Sequence, residues 1–96
     1  MKSLQDIMIT LREYKDFLRD KYKVKELKIF GSYLSNTQKE GSDIDIIVEF
    51  EETPSFIEFI RLKYELENIL DGKVDLLTES SISPYIKPYI KDTLLI

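Results

Sequence analysis

Neither cysteine nor histidine occurs in the 96 residues, and the two gaps remove whole classes of chemistry. Without cysteine there are no disulfides, no thiolate metal site and no sulfur nucleophile. Without histidine there is no imidazole base and no Ser-His-Asp triad, and the two absences together exclude a structural zinc site. Carboxylates are left as metal ligands and proton acceptors, so a bound metal should be hard and oxygen-loving. Clustered positive charge is missing as well. Fourteen lysines and arginines stand against 18 aspartates and glutamates, for a net charge of −4, whereas direct binding to nucleic acid needs massed basic side chains to displace counterions. No apolar run reaches the length of a bilayer span, and MKSLQDIMITLREYKDF carries acids among its apolar residues, unlike a secretory signal. The expectation is a folded cytoplasmic domain with no membrane association.

What is present is an ordinary globular composition, 43% hydrophobic and 33% charged, too apolar for disorder. A chain this short buries only about 60–65% of its unfolded surface, enough for one core, so a single domain over residues 1–96 is expected. Leu4, Ile7, Met8, Leu11, Tyr14 and Leu18 fall at helical spacing and predict an amphipathic helix over residues 3–21 with a charged outer face. Leu27-Lys28-Ile29-Phe30 predicts a short strand halted by Gly31, and residues 33–42 a loop or short helix plus loop. Residues 43–50 (DIDIIVEF) are rich in β-branched side chains and predict a strand. Ser55 and Glu58 form a capping box at the head of a helix that carries Phe56, Phe59, Ile60, Leu62, Leu66, Ile69 and Leu70 and stops at Asp71-Gly72. KVDLL (73–77) predicts a third strand. The tail, with Pro84 and Pro88, predicts short helical turns that pack Ile86, Ile90 and Leu94 on the sheet. The order α-β-β-α-β-α implies an α/β (α+β) fold: a small mixed sheet of three to four strands flanked by helices.

The chemistry concentrates in the second strand. Alternation puts Asp43 and Asp45 on one face and Ile44, Ile46 and Val48 on the other, with the two acids about 6–7 Å apart at their α-carbons. By itself Asp-x-Asp also fits two exposed acids at a strand start. Asp75 alters that balance, because an acid between Val74 and Leu76 in an apolar strand needs water, a partner or a metal. A third carboxylate on a neighbouring strand would complete an oxygen cage of the kind magnesium shares with phosphates. Gly31-Ser32, at the end of the first strand, offers close backbone approach, free N–H groups and a hydroxyl, which is what a phosphate requires. Tyr33, beside that pair, reads as a packing or surface residue that could also meet a nucleotide.

FGSYLSNTQKEGSDIDIIVEF, running from Phe30 to Phe50, closely resembles the signature of the DNA polymerase β-like nucleotidyltransferase superfamily. The whole length, through KVDLLT and the proline-containing tail, resembles its minimal nucleotidyltransferase branch, whose members act as antitoxins beside HEPN-domain toxins. The resemblance implies that Gly31 and Ser32 hold the triphosphate, with Ser42 steadying the same loop. It also implies that Asp43, Asp45 and Asp75 bind Mg2+ (or Mn2+) and carry catalysis. ATP would be the substrate and AMP the group transferred. Three strands and their helices leave little chain for an acceptor pocket, so another protein would present the acceptor; the resemblance implies that this is a hydroxyl side chain, such as a tyrosine, of the HEPN partner in a hetero-oligomer. The chain departs from the family at Leu34, Ser35 and Asn36, where members often have a small residue, an arginine and a glycine. An arginine there would add a bidentate phosphate contact that serine cannot make. The alternative function is a non-catalytic antitoxin that neutralises its partner by binding alone; a small metal-binding domain accounts for the acids but not for the Gly-Ser spacing.

Overall fold

Ile7, Leu11 and Leu18 are fully buried along one side of α1 (Leu4–Tyr22) in the computed structural model, which describes residues 3–35, 41, 43–82 and 92–96. The helix begins at Ser3, whose Oγ accepts the Asp6 N–H while the Asp6 carboxylate accepts the Ser3 N–H. That reciprocal cap satisfies two of the N–H groups a helix start leaves unpaired. It ends at Lys23, which adopts the left-handed conformation (φ 61°) and turns the chain directly into β1 (Val24–Phe30). The Lys23 N–H then donates to Arg19 O, and its carbonyl accepts the Glu51 N–H.

β1 leads through Gly31 into a single helical turn, α2 (Ser32–Ser35). β2 (Ile44–Phe50) follows, then α3 (Phe56–Leu70), β3 (Val74–Thr78), a 3-10 turn over Glu79–Ser81, and β4 (Leu94–Leu95). The strands form one sheet in the order β3-β2-β1-β4. β1 is antiparallel to β2 and to β4, whereas β2 and β3 are parallel and joined through α3. Parallel neighbours need such a crossover, because a tight turn cannot bring the chain back to the same end. Ile29, Ile44, Ile46, Val48 and Val74 pack with Ile7, Leu11 and Leu18 of α1 and Leu62, Leu66 and Leu70 of α3 in one apolar core. By alternation, Lys28, Phe30, Asp45, Ile47 and Asp75 belong to the opposite face of the sheet, and Ile47 is buried there as well. None of the described helices is long and apolar enough to cross a membrane.

Four expectations require correction. The first strand starts at Val24, three residues before Leu27: pairing with β2, through a register shift between Val24 and Glu26, recruits the polar Lys25 and Glu26. Residues 92–96 hold a strand, not a helical turn. Leu94 and Leu95 add a strand to the β1 edge and the Ile96 N–H donates to Leu27 O, because an open edge offers hydrogen bonds that a two-residue helical turn cannot match. Pro84, Ile86, Pro88 and Ile90 lie outside the described residues. At α3, Ser55 Oγ accepts the Glu58 N–H, but the Glu58 carboxylate accepts from the Ser55 hydroxyl rather than from its backbone, so only one backbone donor is capped. Phe56, at the first turn of that helix, projects into solvent with 78% of its surface exposed instead of joining the core.

Candidate active site

Gly31 is where the chain leaves β1, and its backbone has a positive φ of 77°, a region that side chains disfavour. A second constraint acts at the same position. A Cβ on Gly31 would overlap Asp45 Oδ2 and stand 3.0 Å from Asp45 Cγ and 3.3 Å from its Cβ. The missing side chain is therefore the space in which the Asp45 carboxylate sits. Ser32 opens α2 immediately afterwards, and Tyr33 anchors that turn by burying its ring in the core, 6% exposed. Tyr33 is a packing residue.

Asp45 lies opposite Phe30 on the antiparallel side and opposite Asp75 on the parallel side. The register has a clear cause: Ile44 and Val74, 2% and 3% exposed, pair with each other in the core, and the Ile44 N–H donates to Lys73 O at 2.8 Å. Once that apolar pair is seated, period two puts Asp45 and Asp75 side by side on the other face, on strands about 4.8 Å apart. Asp45 is half-buried and Asp75 exposed. Asp43 is exposed just ahead of β2. Among the described residues no three His, Cys, Asp or Glu side chains are gathered closely enough to hold a metal ion. The structure thus brings Gly31, Asp45 and Asp75 together, puts Ser32 next to them along the chain and Asp43 two residues before Asp45, while Ser42 lies outside the described residues.

Two facing carboxylates repel unless a cation, a proton or a donor lies between them. The donor set fits a hard divalent cation: oxygen ligands on adjacent strands, one set into a glycine-shaped recess and the other open to solvent.

Two residues near this pair went unnoticed in the sequence. Lys28 shares its face, two residues before Phe30, and its ammonium lies 3.6 Å from Glu79 on the far side of Ile47. Alternation back from Phe30 would have found it. Glu67 of α3 accepts the Val74 N–H at 3.0 Å, one residue from Asp75, and nothing in the sequence pattern marked that tie. A cleft of about 770 Å3 opens at the other end of β2 and β3, between Phe56, Phe59, Thr78 and Ser80. Glu79 is on its wall, but Gly31, Asp43, Asp45 and Asp75 are not.

Residues 11–96 match the family model of the nucleotidyltransferase domain. MJ1379 of Methanocaldococcus jannaschii, whose name makes it a candidate protein adenylyltransferase, is 51% identical over 98 residues that cover 99% of this chain and 98% of that protein. The protein adenylyltransferase MntA of Thermococcus cleftensis is 44% identical over 85% of this chain and 83% of its own length. Among solved structures, a minimal nucleotidyltransferase superposes with a TM-score of 0.78 at 26% identity, covering 97% of this chain and 95% of that one. A toxin-antitoxin complex with AMP-PNP gives 0.65 at 34% identity, over 86% of this chain and 63% of its counterpart. The complex of a tri-AMPylated HEPN toxin with its MNT antitoxin from Shewanella oneidensis gives 0.60 at 31% identity, over 83% and 61%. The mixed sheet with its two long helices is the polymerase β-like fold of these neighbours. Sequence and fold agree that the chain belongs to the nucleotidyltransferase domain family, as one of its minimal, MntA-like nucleotidyltransferases.

Proposed function

We propose that this chain, as one domain over residues 1–96, transfers AMP from ATP to a hydroxyl side chain of a HEPN-domain toxin in the cytoplasm and so serves as its antitoxin. The observation that carries the reading is the in-register pair Asp45–Asp75 beside Gly31. The relatives named as protein adenylyltransferases and the AMPylated toxin in the Shewanella oneidensis complex support the acceptor class.

The residues divide the work. Gly31 and Ser32 let the backbone approach the triphosphate closely, and Ser42 steadies the same loop. Asp45 and Asp75 would hold Mg2+ or Mn2+ together with oxygens of the triphosphate, and Asp43, which the structure does not gather with them, would join once metal and nucleotide are bound; in such sites these ions neutralise triphosphate charge and acidify an attacking hydroxyl. The acceptor oxygen attacks the α-phosphorus, the bond from that phosphorus to the bridging oxygen breaks, and pyrophosphate leaves. Asp75, the solvent-exposed member of the pair, takes the hydroxyl proton. Asp45, held in its recess, keeps its place through the reaction.

Incubation with the HEPN partner, ATP and Mg2+ tests this. Adenylyl groups on the partner together with released pyrophosphate are expected, with both lost in Asp45→Asn and Asp75→Asn. Neutralisation of the toxin without any adenylylation would instead support an antitoxin that acts by binding alone.

A further inference from the structure

From the ties at the two ends of β3 we infer that Glu67 is a positioning residue for the reaction, holding Asp75 in register with Asp45; the inference rests on the catalytic reading of that pair. Among the described residues β3 is an edge strand with β2 on one side only, so a single ladder sets its register. An edge strand held by one ladder can fray or slip, and a one-residue slip would turn Asp75 to the other face.

Both ends of β3 carry a side-chain tie. The Val74 N–H donates to Glu67 Oε2 at 3.0 Å, and the Thr78 N–H donates to Ser81 Oγ at 3.2 Å. The Glu67 end is the one that matters for Asp75. The Glu67 backbone carbonyl closes α3 by accepting the N–H groups of Asp71 and Gly72, while its carboxylate reaches past that turn to the first residue of β3. One residue thus joins the end of the helix to the start of the strand. The neighbouring Lys73 carbonyl accepts the Ile44 N–H, which passes the same constraint to β2 one residue before Asp45.

Glu67 is also misplaced by helix electrostatics alone. An acid in the last turn meets the negative end of the helix dipole, and the last turn of α3 carries no basic residue to offset it. Its half-buried carboxylate is accounted for by the N–H it accepts from Val74, itself only 3% exposed.

The test compares Glu67→Ala, Glu67→Gln and Asp75→Asn in the full chain with wild type by three readouts: amide exchange at Val74, Mn2+ affinity, and kcat and KM for nucleotidyl transfer. Glu67→Ala should speed exchange at Val74, weaken Mn2+ binding by about tenfold and lower kcat by a similar factor, with KM for ATP within twofold. Glu67→Gln keeps the acceptor oxygen and should stay near wild type in all three. Should Glu67→Ala not fold, Glu67→Asp, whose shorter side chain draws the oxygen back from Val74, should show the same defects. Faster Val74 exchange with unchanged Mn2+ affinity and kcat would overturn the positioning role and leave Glu67 a purely structural tie. Equal defects in Gln and Ala would overturn it too, by making charge the cause. If Asp75→Asn retains wild-type Mn2+ affinity and transfer, the catalytic reading itself falls and takes this inference with it. A dead Asp75→Asn beside a normal Glu67→Ala removes this inference alone.

Discussion

Replacing Gly31 with alanine should damage the protein in two separable ways, and Gly41 supplies the control. Both glycines have positive φ, 77° and 84°, so an alanine at either meets the left-handed backbone penalty of about 1 kcal/mol. Among the described residues nothing lies within 4 Å of a Cβ at Gly41, whereas one at Gly31 runs into the Asp45 carboxylate. Pushing that side chain off its rotamer adds about 0.5–1.5 kcal/mol. Gly41→Ala should therefore lower the melting temperature by about 4–8 °C and Gly31→Ala by about 6–20 °C, one and a half to two and a half times as far, at the few degrees per kcal/mol typical of a domain this size. Thermal melts of the two variants read the difference directly. In an Asp45→Ala background the overlapping atoms are gone and only the Cβ contact at 3.3 Å remains, so the extra loss at Gly31 should shrink to the Gly41 value. Transfer by Gly31→Ala should fall well beyond its loss of folded protein, because the displaced group is the one assigned to catalysis. Equal melting shifts for the two glycine variants, or no relief from Asp45→Ala, would refute the claim that Gly31 makes room for the Asp45 carboxylate.

Three further predictions use other residues. Asp75→Asn should raise metal-free stability by about 1 kcal/mol by removing one of two facing charges, yet show a smaller gain in melting temperature than wild type on addition of Mg2+ and ATP, since ligands stabilise only the state that binds them; parallel gains would mean the acids do not share a site. Ser35→Arg, which restores the residue common in the family, should tighten ATP binding by about 1–2 kcal/mol, the worth of a charged hydrogen bond, and titration calorimetry showing no gain would mean the loop does not present position 35 to phosphate. The Lys21 ammonium bonds Glu65 across α1 and α3 at 3.0 Å, and that hydrogen bond chiefly raises its pKa above 10.5; its contribution is complete below the unfolded value and lost as pH climbs through the raised one, so Lys21→Met should flatten the alkaline end of a stability-against-pH curve and leave the neutral region unchanged in shape.

What could be read from the sequence follows from what is local. The core faces of α1 and α3 are set by helical spacing, and Ile7, Leu11, Leu62 and Leu66 fell where that spacing put them. The same rule overreached at Phe56 and Tyr14, 78% and 40% exposed, because a helix face extends past the sheet that covers it. Asp45 and Asp75 were each visible as acids in apolar strands. That they are direct partners was not visible, since register between strands 30 residues apart depends on how Ile44 and Val74 seat in the core after α3 brings the chain back. β4 was missed for a related reason. Leu94 and Leu95 become a strand only because β1 presents an open edge to them, and two residues carry no period of their own.

The central claim is that the Asp45–Asp75 pair passes a nucleotidyl group, and the position of the label in ATP tests it most directly. With the HEPN partner and Mg2+ present, ATP labelled at the α-phosphate should mark the partner and ATP labelled at the γ-phosphate should not, with pyrophosphate appearing in equal amount. Asp45→Asn and Asp75→Asn should abolish labelling while remaining folded. Label arriving from the γ-phosphate, or undiminished α-labelling in both variants, would contradict the account.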